Sequence, residues 1–193
     1  SLLSEKGLPS SKLSIGLDQI WYEKSEKLFF EMKDEVEYIL VVAENQIRKN
    51  IPQAMSIAGK FIKKYPDRKT ILILVTNNAS SKDGWDLTSD DVVYRQTGLN
   101  PDSMLILEKY RNGISREMLR DLYSNAACFL STAHAEGIGL PIYEAQACGC
   151  PVLVTEMTGG AEAVSKGLTI NAERTSLFPW GNNLHYWVDE DDA

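Results

Sequence analysis

Tyr38-Ile39-Leu40-Val41-Val42-Ala43 is an unbroken apolar run rich in β-branched residues. A strand of that length without polar alternation is buried on both faces, as the strands of parallel sheets are. Beyond it, Pro52 stands where the first turn of a helix tolerates proline. Ala54, Ile57, Ala58, Phe61 and Ile62 then recur at helical spacing until Pro66 ends the pattern. A buried strand followed by an amphipathic helix is the unit from which the rest of the chain is read.

The unit repeats towards the C-terminus. A strand is predicted at Thr70–Thr76, a helix around Ser89–Gly98, a strand at Met104–Leu107, and a helix from Arg116 that Ser115 can cap. On that helix Leu119, Leu122, Tyr123 and Ala126 share one face. A strand at Cys128–Ser131 follows, then a helix at Pro141–Cys148 stopped by Gly149 and a strand at Val152–Thr155. A short helix after Gly159-Gly160 and a brief strand at Leu168–Ile170 complete the series. The fold class is therefore α/β, a Rossmann-like parallel sheet with helices on both faces, and ligands are expected at the carboxyl ends of its strands. Asn77–Asp86 is the longest polar loop and is expected to move, and Lys12–Leu17 is expected to add a strand. There is no internal repeat.

Composition sets the boundary conditions. A chain of 193 residues, 44% hydrophobic and 24% charged, is the size of one ordinary globular domain. Its formal charge of −7 excludes a surface built to neutralise nucleic-acid phosphates or to lie on an anionic membrane, so any basic site is local. Cys128, Cys148 and Cys150 form neither an even set nor a C-x-x-C pair. They are read as packing residues in a cytoplasmic protein. No apolar run approaches the length of a membrane span.

The turn with the most chemistry is His134-Ala135-Glu136-Gly137-Ile138-Gly139-Leu140-Pro141-Ile142-Tyr143-Glu144. It joins a buried strand to a helix opening at Pro141. Glycines let backbone approach a ligand closely, and the helix N-terminus supplies unpaired N–H groups with a partial positive charge suited to phosphate. Glu136 and Glu144 bracket that anion site with two carboxylates able to accept from sugar or ribose hydroxyls, which is the pattern a nucleotide sugar presents. Alone, each glutamate has a structural reading: Glu144 as a helix-dipole acid, Glu136 as a solvated loop acid. His134 is read as polar loop surface and only a minor ligand candidate.

The E-x7-E spacing of Glu136 and Glu144 is followed by Ala145-Gln146-Ala147-Cys148-Gly149-Cys150-Pro151-Val152 and by Gly159-Gly160-Ala161-Glu162. Together they resemble the donor-binding, C-terminal domain of family 4 (group 1) retaining glycosyltransferases of GT-B fold, over about Tyr38 to Asn171. The resemblance implies that Glu136 lies by the donor sugar and is catalytic, that Glu144 holds the ribose hydroxyls, and that Gly137, Ile138, Gly139 and Leu140 meet the diphosphate through their backbone. It also implies that the turn Ala43–Asn50 presents basic residues to the diphosphate, with Lys49 as the catalytic cation and Arg48 its basic neighbour. An upstream arginine of the family pattern has no counterpart, because Ala43 and Glu44 occupy its vicinity. A carboxylate there would repel a diphosphate.

On this resemblance, residues 1–33 are a lead-in from a missing N-terminal domain. Residues 34–193 are then a donor domain cut short at its C-terminus, inactive without the acceptor-binding half. The implied activity is metal-independent hexosyl transfer with retention from a nucleoside diphosphate sugar, with no cofactor and no metal ligand. Asp189-Glu190-Asp191 has the D-x-D form but reads as a solvated acidic tail. The alternatives are a non-catalytic nucleotide-sugar-binding pseudoenzyme, which Glu44 motivates, and a sugar-nucleotide epimerase-like domain. A dinucleotide-binding oxidoreductase lacks its G-x-G-x-x-G after the first strand, and a P-loop ATPase lacks its glycine-lysine motif.

Overall fold

In the computed structural model the described residues are 16–26, 28, 31–32, 36–77, 84–89, 95, 97–108, 113–156, 160–164, 167–170, 174–177 and 184–187. Along the chain run β1 (Glu37–Val42), α1 (Ile51–Lys64), β2 (Thr70–Thr76), β3 (Met104–Glu108), α2 (Arg116–Asn125), β4 (Cys128–Ser131), α3 (Leu140–Ala147), β5 (Val152–Thr155), β6 (Gly167–Ile170), β7 (Arg174–Leu177) and β8 (Leu184–Trp187). The first six strands form one parallel sheet in the order β3-β2-β1-β4-β5-β6. Strand order reverses at β1, with β2 on one side and β4 on the other. Crevices at such a switch point are where open α/β sheets bind ligands.

The apolar run that opened the sequence reading divides its side chains between two cores. Tyr38 and Leu40 pack with Leu119, Leu122 and Tyr123 of α2 and with Ile142 and Ala145 of α3. Ile39 and Val41 pack with Ile51, Ala54, Met55, Ile57 and Ala58 of α1. Successive strand residues point to opposite faces, so a strand covered by helices on both sides must be apolar at every position. The Tyr38 hydroxyl, buried among these side chains, donates to the Leu122 carbonyl at 2.7 Å.

Several elements keep their expected limits: β2, β4 and β5 match to the residue, and Ser115 caps α2 by accepting from the Met118 N–H at 3.2 Å. Gly149 ends α3 with φ +81°, a left-handed conformation that glycine adopts without steric cost. The short helix expected after Gly160 is a 3₁₀ turn, Ala161–Ala163. Three expectations lie wholly or largely outside the described residues: the helix around Ser89–Gly98, the moving loop Asn77–Asp86 and the strand at Lys12–Leu17. Two features carry no expectation. The antiparallel pair β7 and β8 lies where only a tail was read. A 3₁₀ turn, Gln19–Tyr22, sets Trp21 edge-on against Tyr123 with ring centroids 5.9 Å apart.

The cysteines are free thiols. Cys148 and Cys150 are buried and Cys128 is half-buried, and burial pushes their thiols up to about 11, about 12 and about 11 respectively. Such thiols stay protonated and pack as small apolar groups. No helix among the described residues is long and apolar enough to cross a membrane.

Candidate functional site

At the carboxyl edge of the sheet, the loop after β1 and the turn after β4 lie side by side and are joined by a series of contacts. Thr132 Oγ1 donates to the Asn50 carbonyl at 2.9 Å, and the His134 N–H donates to the Arg48 carbonyl at 2.8 Å. Arg48 Nη1 donates to the Ala135 carbonyl at 3.2 Å, and Lys49 Nζ pairs with the Glu136 carboxylate. The two strands are sheet neighbours, so their exits have to run together.

Local geometry holds Lys49 in place. It ends the 3₁₀ turn Ile47–Lys49, and Asn50 then takes φ +48°, the one left-handed non-glycine residue among the described residues. Asparagine tolerates that region better than most side chains, and here its amide donates to Gln53. Thr132 pins its carbonyl from below. The chain thus turns sharply into α1 while Lys49 faces the β4 turn.

Gly139 caps α3 with φ +72°, and a Cβ there would lie 2.8 Å from Ile142 Cδ1 and 3.3 Å from Glu136 Cγ. Glycine is required both by the backbone conformation and by the closeness of Glu136. Gly137 faces open space, and Ile138 and Leu140 are exposed, 47% and 44%. The turn therefore presents backbone and apolar side chains outward next to the start of a helix.

A cleft of about 460 Å³ opens beside these loops, within the size range of small-molecule sites. Arg48, Lys49, Glu44, Leu140 and Glu144 line it. Glu136, Gly137, Ile138 and Gly139 do not. Glu136 instead lines a small void with Lys49, Gly139 and Ile142. The structure thus brings Lys49, Arg48, Leu140 and Glu144 to one cleft and pairs Glu136 with Lys49.

Glu144 is the fifth residue of α3, beyond the first turn where the helix dipole acts most strongly. The hydroxyl of the wholly buried Tyr123 donates to Glu144 Oε2 at 3.2 Å. Burial, and then the Glu144 charge, hold the Tyr123 phenol well above its usual range. Glu44 is exposed on the cleft wall, where its carboxylate accepts from Gln46 Nε2 at 2.8 Å. His134 corrects an expectation: it is 3% exposed, because its backbone is stitched to Arg48 and the turn folds its ring inward.

The cleft also contains residues that the sequence reading passed over. Trp21, Asn77, Ser115 and Arg116 line it. Ser115 and Arg116 carried a usable signal, since a capped helix start following a parallel strand belongs at the carboxyl edge. Trp21 carried none, because its partner Tyr123 is about a hundred residues away.

A parallel six-stranded sheet with this strand order, and a cleft at its switch point, defines a Rossmann-like α/β domain. Residues 109–172, about a third of the chain, match the family model described as glycosyl transferases group 1. Solved structures share the fold at low identity. WaaG, a glycosyltransferase involved in lipopolysaccharide biosynthesis, is 19% identical with a TM-score of 0.57, over 72% of this chain and 34% of that one. The UDP-forming α,α-trehalose-phosphate synthase of Burkholderia xenovorans is 16% identical with a TM-score of 0.58, over 71% and 33%. The N-terminal domain of Candida albicans trehalose-6-phosphate phosphatase is 17% identical with a TM-score of 0.57, over 71% and 31%. The chain spans about a third of the length of these structures. No curated protein matches it.

Proposed function

We propose that this chain is the nucleotide-sugar-binding half of a metal-independent, retaining hexosyltransferase. The observation that carries the reading is the cleft that Lys49, Arg48 and Glu144 line together with Leu140 and Pro141 at the start of α3. A nucleoside diphosphate sugar needs cationic and N–H groups for its diphosphate and a carboxylate for its hydroxyls. Lys49, Arg48 and the backbone of Leu140 at the helix start serve the first need, and Glu144 serves the second. As the glycosidic bond to phosphate breaks, charge grows on the diphosphate, and Lys49 with the helix N-terminus stabilises it electrostatically without a metal. Glu136, which the family resemblance sets beside the donor sugar, belongs to the same edge through Lys49.

The acceptor is met by a second domain facing this cleft, and the isolated half transfers nothing without it. No cofactor is required. Three unpaired cysteines fit the reducing cytoplasm. A second reading, a nucleotide-sugar-binding domain without catalysis, is favoured by Glu44 on the cleft wall, where its charge opposes a diphosphate.

Calorimetric titration with UDP, GDP, ADP and their sugars tests the proposal. One base series should bind, with the diphosphate tighter than the nucleoside. Failure of every series to bind would end it. Turnover by the protein joined to its acceptor half separates the catalytic from the non-catalytic reading.

A further inference from the structure

We infer that Glu136 acts as a latch on Lys49: in the empty site it holds the lysine by its charge, and that same charge weakens the binding of a nucleoside diphosphate. The inference rests on the donor-site reading and assigns Glu136 a positioning role through Lys49.

Three observations support it. Lys49 Nζ pairs with Glu136 Oε2, and the two side chains are only 13% and 14% exposed. Lys49 lines both the cleft and a small void, whereas Glu136 lines only the void. The pairing is also imposed by backbone, since Thr132 to Asn50, His134 to Arg48 and Arg48 to Ala135 hold the two loops in register on either side of it.

A largely buried ion pair contributes little net stability, because desolvation offsets the attraction, but leaving either member unpaired is costly. The pair therefore orients Lys49 rather than stabilising the fold. An ammonium has three donors. One is committed to Glu136, which leaves others for phosphate oxygens in the cleft. The Glu136 carboxylate is paired with this cation, so an arriving diphosphate meets a lysine whose charge is already compensated. The arrangement sacrifices ground-state affinity for a fixed direction of the ammonium.

Removing the carboxylate charge while keeping the side-chain shape, Glu136→Gln, should have two effects. Acylation of Lys49 in the ligand-free protein, followed by mass spectrometry, should become several-fold faster, because the side chain is released from its ion-pair partner and reaches the reagent. Calorimetry should show the nucleoside diphosphate binding on the order of tenfold tighter, with the nucleoside unchanged, because one repelling charge beside the diphosphate has gone. Glu136→Ala, with circular dichroism on both variants, guards against misfolding of either one. Equal Lys49 acylation rates, or an unchanged or weaker diphosphate affinity in a folded variant, would overturn the latch. If the parent binds no nucleoside diphosphate at all, the donor-site reading fails separately, and the acylation rates alone judge the latch.

Discussion

Glu136 and Glu144 bracket one turn, and their surroundings differ in kind. Glu136 faces a cation, Lys49, and lines a small void with it. Glu144 faces the cleft, and the partner identified behind it is the neutral hydroxyl of Tyr123 at 3.2 Å. An ion pair neutralises the charge that a carboxylate presents outward, whereas a hydroxyl donor orients the carboxylate without bringing a charge of its own. Two acids that look equivalent by spacing thus divide the work. One is paired with a cation, and the other stands on the cleft wall beside a hydroxyl.

Removing the cation from the Glu136 side should break the comparison most severely. Lys49→Ala deletes the proposed phosphate partner and leaves Glu136 uncompensated, so nucleoside diphosphate affinity should fall by about 3 kcal/mol. Titration of the folded variant checks it, and an affinity equal to the parent's would remove Lys49 from the site. On the other side, Glu144→Ala should cost about 1.5–3 kcal/mol in nucleotide binding, the range for a charge-assisted hydrogen bond, and Glu144→Gln less. Unchanged binding would make Glu144 only a helix residue held by Tyr123.

Glu44 sharpens the contrast as a third acid, exposed and hydrogen-bonded to Gln46. Glu44→Arg should tighten nucleoside diphosphate by about 1 kcal/mol and leave nucleoside affinity alone, since only the former carries the charge that a guanidinium can fork. Equal shifts for both ligands would show that Glu44 does not face the diphosphate. The smallest effect is expected from chelation: with protein cations meeting the phosphates, excess EDTA should leave donor affinity unchanged. Strict dependence on magnesium or manganese would reject the metal-independent reading and return Asp189 and Asp191, which lie outside the described residues, to consideration.

The cleft was legible in part. Lys49, Arg48, Leu140 and Glu144 could be nominated because strand-to-helix turns in a parallel sheet deliver their residues to one edge, whatever the distance between them in sequence. His134 was misread because burial of a loop residue depends on how the loop is tied down, here by the Arg48 carbonyl. Trp21 was missed as a cleft residue, and Tyr123 as a partner of Glu144, for a related reason. Tyr123 reads as one more apolar position on α2, and only packing turns its hydroxyl towards Glu144.

The sequence by itself determined the parallel α/β architecture, because strands buried on both faces must be apolar throughout and their helices must repeat at their own period. It also nominated the turn after β4 as an anion site, because a glycine-rich turn before a helix offers backbone N–H groups. Tertiary structure decided which acid faces the ligand. The partners of Glu136 and Glu144 come from the loop after β1 and from α2, and the orientation of a carboxylate follows from the nearest cation or hydroxyl in space. Neighbours along the chain do not supply that information.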